Sequence, residues 1–295
     1  MLLCHLIIDR KINGKVCIKA IMEKIKDALA KAKLENVNEK TVAKVVEQKP
    51  QKSFPNTENE LGAISYLNTP IIKLNLAHLE KNRIVSHVKN DINSGVFDSL
   101  RTQILQKMEE NNWRTLAVVS PTPESGKTLV SINLAISIAH QPQKTVVLVD
   151  LDLRRPKIAT YLGMHTEKSM NDYLGNKAQL QEVMFNPGIP RLVVIPTMRP
   201  VSKSAETLSS KKVANLIQDL RSRYDSRIVI FDSPPVLNSD DAMILLPQVD
   251  CILLVVGNGM STQSEIEETL HHLPKNNLLG VVLNRAEVES KAYYY

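Results

Sequence analysis

Short runs in which every residue is apolar alternate along this chain with longer stretches whose apolar residues recur every three or four positions. LAVV at 116–119, VVLV at 146–149, LVVIPTM from Leu192 to Met198, IVIF at 228–231, CILLVV at 251–256 and LLGVVL at 278–283 are the short runs. Such uniformly apolar runs predict strands covered on both faces, as in a parallel sheet. Between them, LVSINLAISIA at 129–139 has helical periodicity. SSKKVANLIQDLRSRY at 209–224 puts Val213, Leu216, Ile217 and Leu220 on one face. Ahead of the first strand, INSGVFDSLRTQILQKMEENN spaces Phe97, Leu100, Ile104, Leu105 and Met108 for burial, with Asp91 or Ser94 as its cap. Six strands alternating with helices predict an α/β fold, a mostly parallel twisted sheet with helices on both faces. Right-handed crossovers bring every strand's C-terminal end to one edge, where ligands bind in such sheets.

The pattern fades upstream. MEKIKDALAKAKLE from Met22 places Ile25, Ala28, Leu29 and Ala32 on one helical face, a docking surface or a frayed appendage. Residues 35–75 are polar and turn-rich and read as linker. The expected organisation is a basic N-terminal helix and flexible linker over 1–75, an α/β domain over 76–288, and a tyrosine-rich tail over 289–295. Residues 1–21 differ in character from the rest, and Met22 is an alternative start.

Composition sharpens this division. Of 295 residues, 43% are hydrophobic, enough for a core, although only 4% are aromatic. The net charge of +6 lies entirely in residues 1–52, which hold twelve Lys/Arg and six Asp/Glu; the other 25 basic and 25 acidic residues cancel. A nucleic-acid binder carries its basic patch on the folded domain, so no nucleic-acid partner is expected. The basic segment suits an anionic membrane or acidic partner, or is a solvated helix and linker. Cys4, Cys17 and Cys251 form no C-x-x-C pair, which suits a reducing cytoplasm. The adjacent His271 and His272 cannot share a helix face and do not suggest a metal site. No apolar run reaches the roughly 18–20 residues that cross a bilayer. MLLCHLIID is followed, not preceded, by basic residues, unlike a signal peptide.

The candidate chemistry starts at Leu116. LAVVSPTPESGKT is strand, Pro-rich turn and Gly126-Lys127-Thr128, and an apolar helix follows. That is the layout of a phosphate-binding loop. Loop amides and the helix N-terminus favour an anion at one point. Gly126 lets the backbone approach phosphates, Lys127 reaches the β- and γ-phosphates, and the Thr128 hydroxyl binds Mg²⁺. The usual opening glycine, six residues before the lysine, is Pro121 here. The nucleotide-binding candidates are Glu124, Ser125, Gly126, Lys127, Thr128 and Leu129, joined at the end of the last strand by Asn284 and Arg285.

Three carboxylates end strands on the same edge: Asp150 with Asp152 after the second, and Asp232 after the fourth. Thr128, Asp152 and Asp232 are the Mg²⁺ candidates. Lys127, Asp150, Asp152 and Asp232 are the catalytic candidates. Residues two apart in a strand face one side, so Asp150 and Asp152 are expected to share the site. One helps bind Mg²⁺ and the other takes a hydroxyl proton as the γ-phosphate is attacked. Arg154 and Arg155 either offset transition-state charge or serve a cap or ion pair. Asn284 either reads an adenine edge or is a polar turn residue.

SPTPESGKT, VVLVDLDLRRP and RIVIFDSPP in that order, with a tail ending in tyrosines, resemble the bacterial tyrosine autokinases of capsule and exopolysaccharide assembly. LRTQILQ at 100–106 is similar to the helix that precedes the loop in that family. The resemblance spans about residues 76–295, and is greatest to stand-alone forms. It implies a phosphate-loop NTPase fold, ATP and Mg²⁺ as cofactors, and transfer of the γ-phosphate to Tyr293, Tyr294 and Tyr295. It implies Asp150 as base or metal ligand, with Asp152 and Asp232 on the metal. It also implies a membrane co-polymerase whose cytoplasmic end activates the kinase, a homo-oligomer, a cognate phosphotyrosine phosphatase, and a cytoplasmic location peripheral to the inner membrane. The sequence departs from the family at Glu124-Ser125, where a glycine is lost. It departs again at Gly95 and Asp98, in place of an acid and an arginine of the segment that helps form a ring.

The tail carries weight of its own. Three of the seven tyrosines end the chain, where a core aromatic is seldom placed. Eleven residues beyond Asn284 span at most about 36–40 Å, enough to reach this active site or a neighbour's. Two other functions fit part of the pattern: a switch ATPase of the partitioning type, or a non-catalytic regulatory subunit of a polysaccharide export complex. The partitioning ATPases carry a lysine early in the loop where this chain has Thr122, and lack the tyrosine tail.

Overall fold

The protein is described by a computed structural model covering residues 5–7, 69–88, 92–274 and 277–285. The strands are β1 (His5–Ile7), β2 (Thr115–Val119), β3 (Thr145–Asp150), β4 (Leu192–Ile195), β5 (Arg227–Asp232), β6 (Cys251–Gly257) and β7 (Leu278–Asn284). The helices are α1 (Leu76–Lys81), α2 (Ile92–Glu110), α3 (Lys127–Ala139), α4 (Ile158–Leu162), α5 (Met170–Leu174), α6 (Ser204–Leu208), α7 (Lys211–Ser222), α8 (Asp241–Leu245) and α9 (Gln263–His272).

All strands join one sheet in the order β1-β7-β6-β2-β5-β3-β4. β2 to β7 are parallel, and each expected apolar run supplies one of them. β2 is central because the chain runs outward from it to β3 and β4, returns as β5, and crosses to β6 on the other side. Strand order reverses at β2, so a crevice opens at its C-terminal end. Register then matters: Asp150 of β3 lies directly beside Asp232 of β5, and Asp232 beside Val118 of β2.

Two apolar layers cover the sheet. On one face α2 and α3 bury Phe97, Leu100, Ile104, Met108, Ile132 and Ile136. On the other α7 and α9 bury Val213, Leu216, Leu220, Ile266 and Leu270. All thirteen residues of α3 are buried, the polar Ser131, Asn133 and Ser137 among them each with a hydrogen-bond partner.

Four expectations change. Residues 5–7, read as part of a helical and linker extension, instead add β1 antiparallel to the outer edge of β7. The linker does not run to residue 75, because Ile72 N–H donates to the Asn186 carbonyl (2.8 Å) and Asn186 N–H to the Pro70 carbonyl (2.9 Å). Ser94 lies inside α2 and does not cap it. The third predicted strand stops at Ile195, since Pro196 cannot continue the ladder. The helix expected from Met22, Asp91, and the tail tyrosines lie outside the described residues.

Candidate active site

The turn from β2 to α3 is shaped from within. The Ser120 and Ser125 hydroxyls both donate to the Thr122 carbonyl, at 2.8 and 3.1 Å. Glu124 and Gly126 take positive φ, 65° and 94°, a conformation that costs a side-chain-bearing residue about 1–2 kcal/mol. The end of β7 holds the turn from outside. The Asn284 amide donates to the Ser125 carbonyl (2.9 Å) and the Arg285 guanidinium to the Glu124 carbonyl (2.8 Å).

Lys127 opens α3 and is nearly enclosed, with 7% exposure. Its Nζ donates to Asp152 Oδ2 at 2.7 Å and lies 3.8 Å from Asp232 Oδ1. Burial draws the ammonium pKa down, but Asp232 and Asp152 outweigh it and leave Lys127 above its ordinary value. The Thr128 hydroxyl donates to Asp232 Oδ2 at 2.6 Å, and Ser131, one turn along α3, donates to Oδ1 at 3.2 Å. Even so, burial holds the Asp232 carboxyl above its usual range.

Asp150 is fully buried. One oxygen accepts from the Lys157 and Ile158 amides at 3.1 and 3.0 Å, and the other has no partner. Burial first, and the Asp232 charge beside it, raise its pKa well above the carboxylate range. A cavity of about 740 Å³ opens over this floor. Glu124, Gly126, Lys127, Thr128, Leu129, Asp152, Asn284 and Arg285 line it, each of them a sequence candidate.

The AAA domain family matches residues 114–276. The chain belongs to that family. Among similar proteins, the tyrosine-protein kinase ptk of Acinetobacter johnsonii is 29% identical over 80% of this chain and 33% of its own length. The tyrosine-protein kinase YwqD of Bacillus subtilis is 28% identical over 74% of this chain and 92% of its own. The solved kinase domain of the Escherichia coli tyrosine kinase ETK superposes with a TM-score of 0.63 at 29% identity, over 71% of this chain and 82% of that one. The chain thus spans about a third of the length of the Acinetobacter relative. The resemblance to bacterial tyrosine kinases, and the phosphate-loop fold with it, are borne out.

Within this AAA domain, Lys127, Thr128, Asp152 and Asp232 meet at one point. Asp150 and Asp152 do not point into one space as their alternation suggested. β3 ends at Asp150, the chain turns, and only Asp152 reaches the cavity. Ser125 turns inward to its own loop and does not line the cavity. Asn284 is 2% exposed and its amide nitrogen is committed to the loop, so it fastens the turn. Of the two readings of Arg154, the ion pair is found: it grips buried Asp241 through Nε and Nη2, at 3.0 and 3.3 Å. Asp98, at a position tied to ring formation in the resembling family, is held within the chain by Arg101 and Ser137, both at 2.6 Å.

Ser131 was missed, although its place four residues after Lys127 on one helix face was a readable signal. Lys81 and Arg83 also line the cavity. They lie far upstream of the loop, and no local pattern links them to it.

Proposed function

We propose that this domain is a protein-tyrosine autokinase that moves the γ-phosphate of magnesium-bound ATP onto Tyr293, Tyr294 or Tyr295. The reading rests on one observation: Lys127 lies between Asp152 and Asp232 while Thr128 holds Asp232, beneath a cavity framed by the phosphate loop. The relatives named as tyrosine kinases support the choice of reaction.

The residues suit Mg²⁺. The donors are hydroxyl and carboxylate oxygens, which Mg²⁺ prefers, and it takes only one or two carboxylates beside phosphate and water. Thr128, Asp232 and Asp152 would hold it, and it would neutralise charge on the β- and γ-phosphates.

Lys127 and the loop amides orient the γ-phosphate, and Lys127 exchanges Asp152 for a phosphate oxygen. The tyrosine oxygen forms a bond to the γ-phosphorus. The bond from that phosphorus to the β–γ bridging oxygen breaks, and ADP leaves with its electron pair. Asp150 takes the phenolic proton on its unpartnered oxygen, which is walled off from the cavity until the loaded site draws Asp152 aside toward the metal.

The setting belongs to the same proposal. The domain, joined by its N-terminal segment, works as an oligomer. It sits beside the inner membrane, on the cytoplasmic end of a polysaccharide co-polymerase, and is reset by a phosphotyrosine phosphatase. Among the described residues no helix is long and apolar enough to cross a membrane.

Mass spectrometry after incubation with ATP and Mg²⁺ tests the reaction, wild type beside Lys127→Met. Phosphate on residues 293–295 of the wild type alone is expected. ATP hydrolysis without self-labelling would assign the domain to the switch ATPases and overturn the kinase reading.

A further inference from the structure

One wall of the cavity is charged in a way the phosphate loop does not explain. Lys81 ends α1 and Arg83 lies just beyond it, and Arg155 and Lys157 precede α4. The two segments pack together: His78 Nε2 of α1 donates to the Thr160 carbonyl of α4 at 2.8 Å. All four cations are exposed and all four line the cavity. None is in an ion pair with a described residue. Lys127 and Thr128 of the phosphate loop are by contrast buried at 7% and 6% exposure.

Four cations from two abutting segments, without a described carboxylate among them, repel one another, and an anion settling among them relieves this. An exposed cationic rim also raises the local concentration of an anionic ligand and orients its approach. The chain itself offers a complementary segment. Arg285 lines the same cavity, and the residues after it read Ala-Glu-Val-Glu-Ser-Lys-Ala-Tyr-Tyr-Tyr, with Glu287 and Glu289 ahead of the tyrosines.

We propose that Lys81, Arg83, Arg155 and Lys157 form a docking wall for an acidic acceptor peptide, and that the kinase selects tyrosines preceded at about four to six residues by carboxylates. The inference rests on the kinase reading for the identity of the peptide. The wall binds Glu287 and Glu289 of the tail, from this chain or a second copy, and Lys127 and the carboxylates act on the tyrosines beyond. A Glu289-to-Tyr293 separation of four residues spans at most about 13–14 Å, so both ends can be engaged together within one cleft.

Fluorescence anisotropy of the full chain with a labelled peptide of residues 286–295 tests it, in the presence of Mg²⁺ and a non-hydrolysable ATP analogue. A peptide carrying Glu287→Gln and Glu289→Gln is expected to bind about tenfold more weakly, the sum of two or more surface ion pairs, and the difference should shrink in high salt. The pairs Lys81→Gln/Arg83→Gln and Arg155→Gln/Lys157→Gln should each weaken the acidic peptide by a similar factor, with the affinity for the analogue unchanged. Equal binding of both peptides by the wild type overturns the proposal. So does loss of analogue affinity in the charge variants with peptide binding intact, which would give these cations to the nucleotide. Phosphatidylserine vesicles that displace the acidic peptide from the wild type but not from the charge variants would give the wall to a membrane, also against the proposal. None of these readouts needs phosphoryl transfer. Peptide binding without tail phosphorylation would fail the kinase reading alone, and tail phosphorylation without acidic selectivity would fail this one alone.

Discussion

Gly126 and Asn284 are in such close contact that a Cβ on Gly126 would lie 2.0 Å from the Asn284 amide nitrogen. That nitrogen is already bonded to the Ser125 carbonyl, so it cannot retreat without releasing the loop. Gly126 also sits at φ 94°. Gly126→Ala should therefore fail twice, by clash and by backbone strain. We expect nucleotide binding to fall more than tenfold, since a loss of only about 1.4 kcal/mol gives that factor. Titration of a fluorescent ATP analogue checks this. Adding Asn284→Ala should recover only part of the loss, because the strain remains once the clash is gone.

Lys127 does structural work as well as facing the cavity. Lys127→Met leaves Asp152 and Asp232 facing each other across a buried gap without their cation. Breaking such a pair from one side costs about 3–5 kcal/mol. We expect Lys127→Met to abolish phosphorylation and also to lower the denaturant midpoint. The double variant Lys127→Met/Asp152→Asn should unfold later than the single one while remaining inactive. A single variant as stable as wild type would contradict the tight pairing seen here.

These two cases show what the sequence could and could not reveal. Six parallel strands were legible because a strand covered on both faces is apolar at every position, and the loop was legible because its chemistry is local. The convergence of Asp150, Asp152 and Asp232 at one edge followed from topology alone. Where their side chains point did not follow, since the chain turns immediately after Asp150. The pairing of Arg154 with Asp241 joins residues 87 positions apart and leaves no periodic trace. β1 was missed for a similar reason: three residues that complete a sheet edge far along the chain carry too little pattern to separate from a polar extension.

Asp150 gives a prediction in pH. Its folded-state pKa is raised, first by burial and then by Asp232, so the folded state binds this proton more tightly than the unfolded chain does. The stabilisation is full below the unfolded carboxylate pKa and is lost as pH rises through the folded value. Near neutral pH the charged form therefore weighs against the fold. Asp150→Asn should raise the melting temperature there, with little gain under acidic conditions where Asp150 is already protonated. The same change should lower turnover by about 100-fold or more, the usual contribution of a general base, with a smaller effect on ATP affinity. Melting scans across pH and a split of kcat from the ATP KM check both parts. Destabilisation at neutral pH would mean that the ionised Asp150 supports the fold.

Arg154 follows the Asp-x-Asp segment so closely that a role at the phosphates is the natural expectation, yet its guanidinium lies on Asp241 and on the Ser204 hydroxyl (2.8 Å). Asp241 is fully buried, and that guanidinium is the cation paired with it. Removing a cation from a buried carboxylate leaves an uncompensated charge that the fold must expel or protonate. Arg154→Ala should therefore lower the melting temperature and loosen α8, which carries Asp241. Arg154→Ala/Asp241→Asn should restore much of that stability, because the orphaned charge is gone. Phosphorylation measured well below the melting point separates a structural from a catalytic role. We expect the double variant to keep turnover close to that of wild type. Turnover that stays depressed in a well-folded double variant would instead place Arg154 among the groups that act on the transferring phosphate.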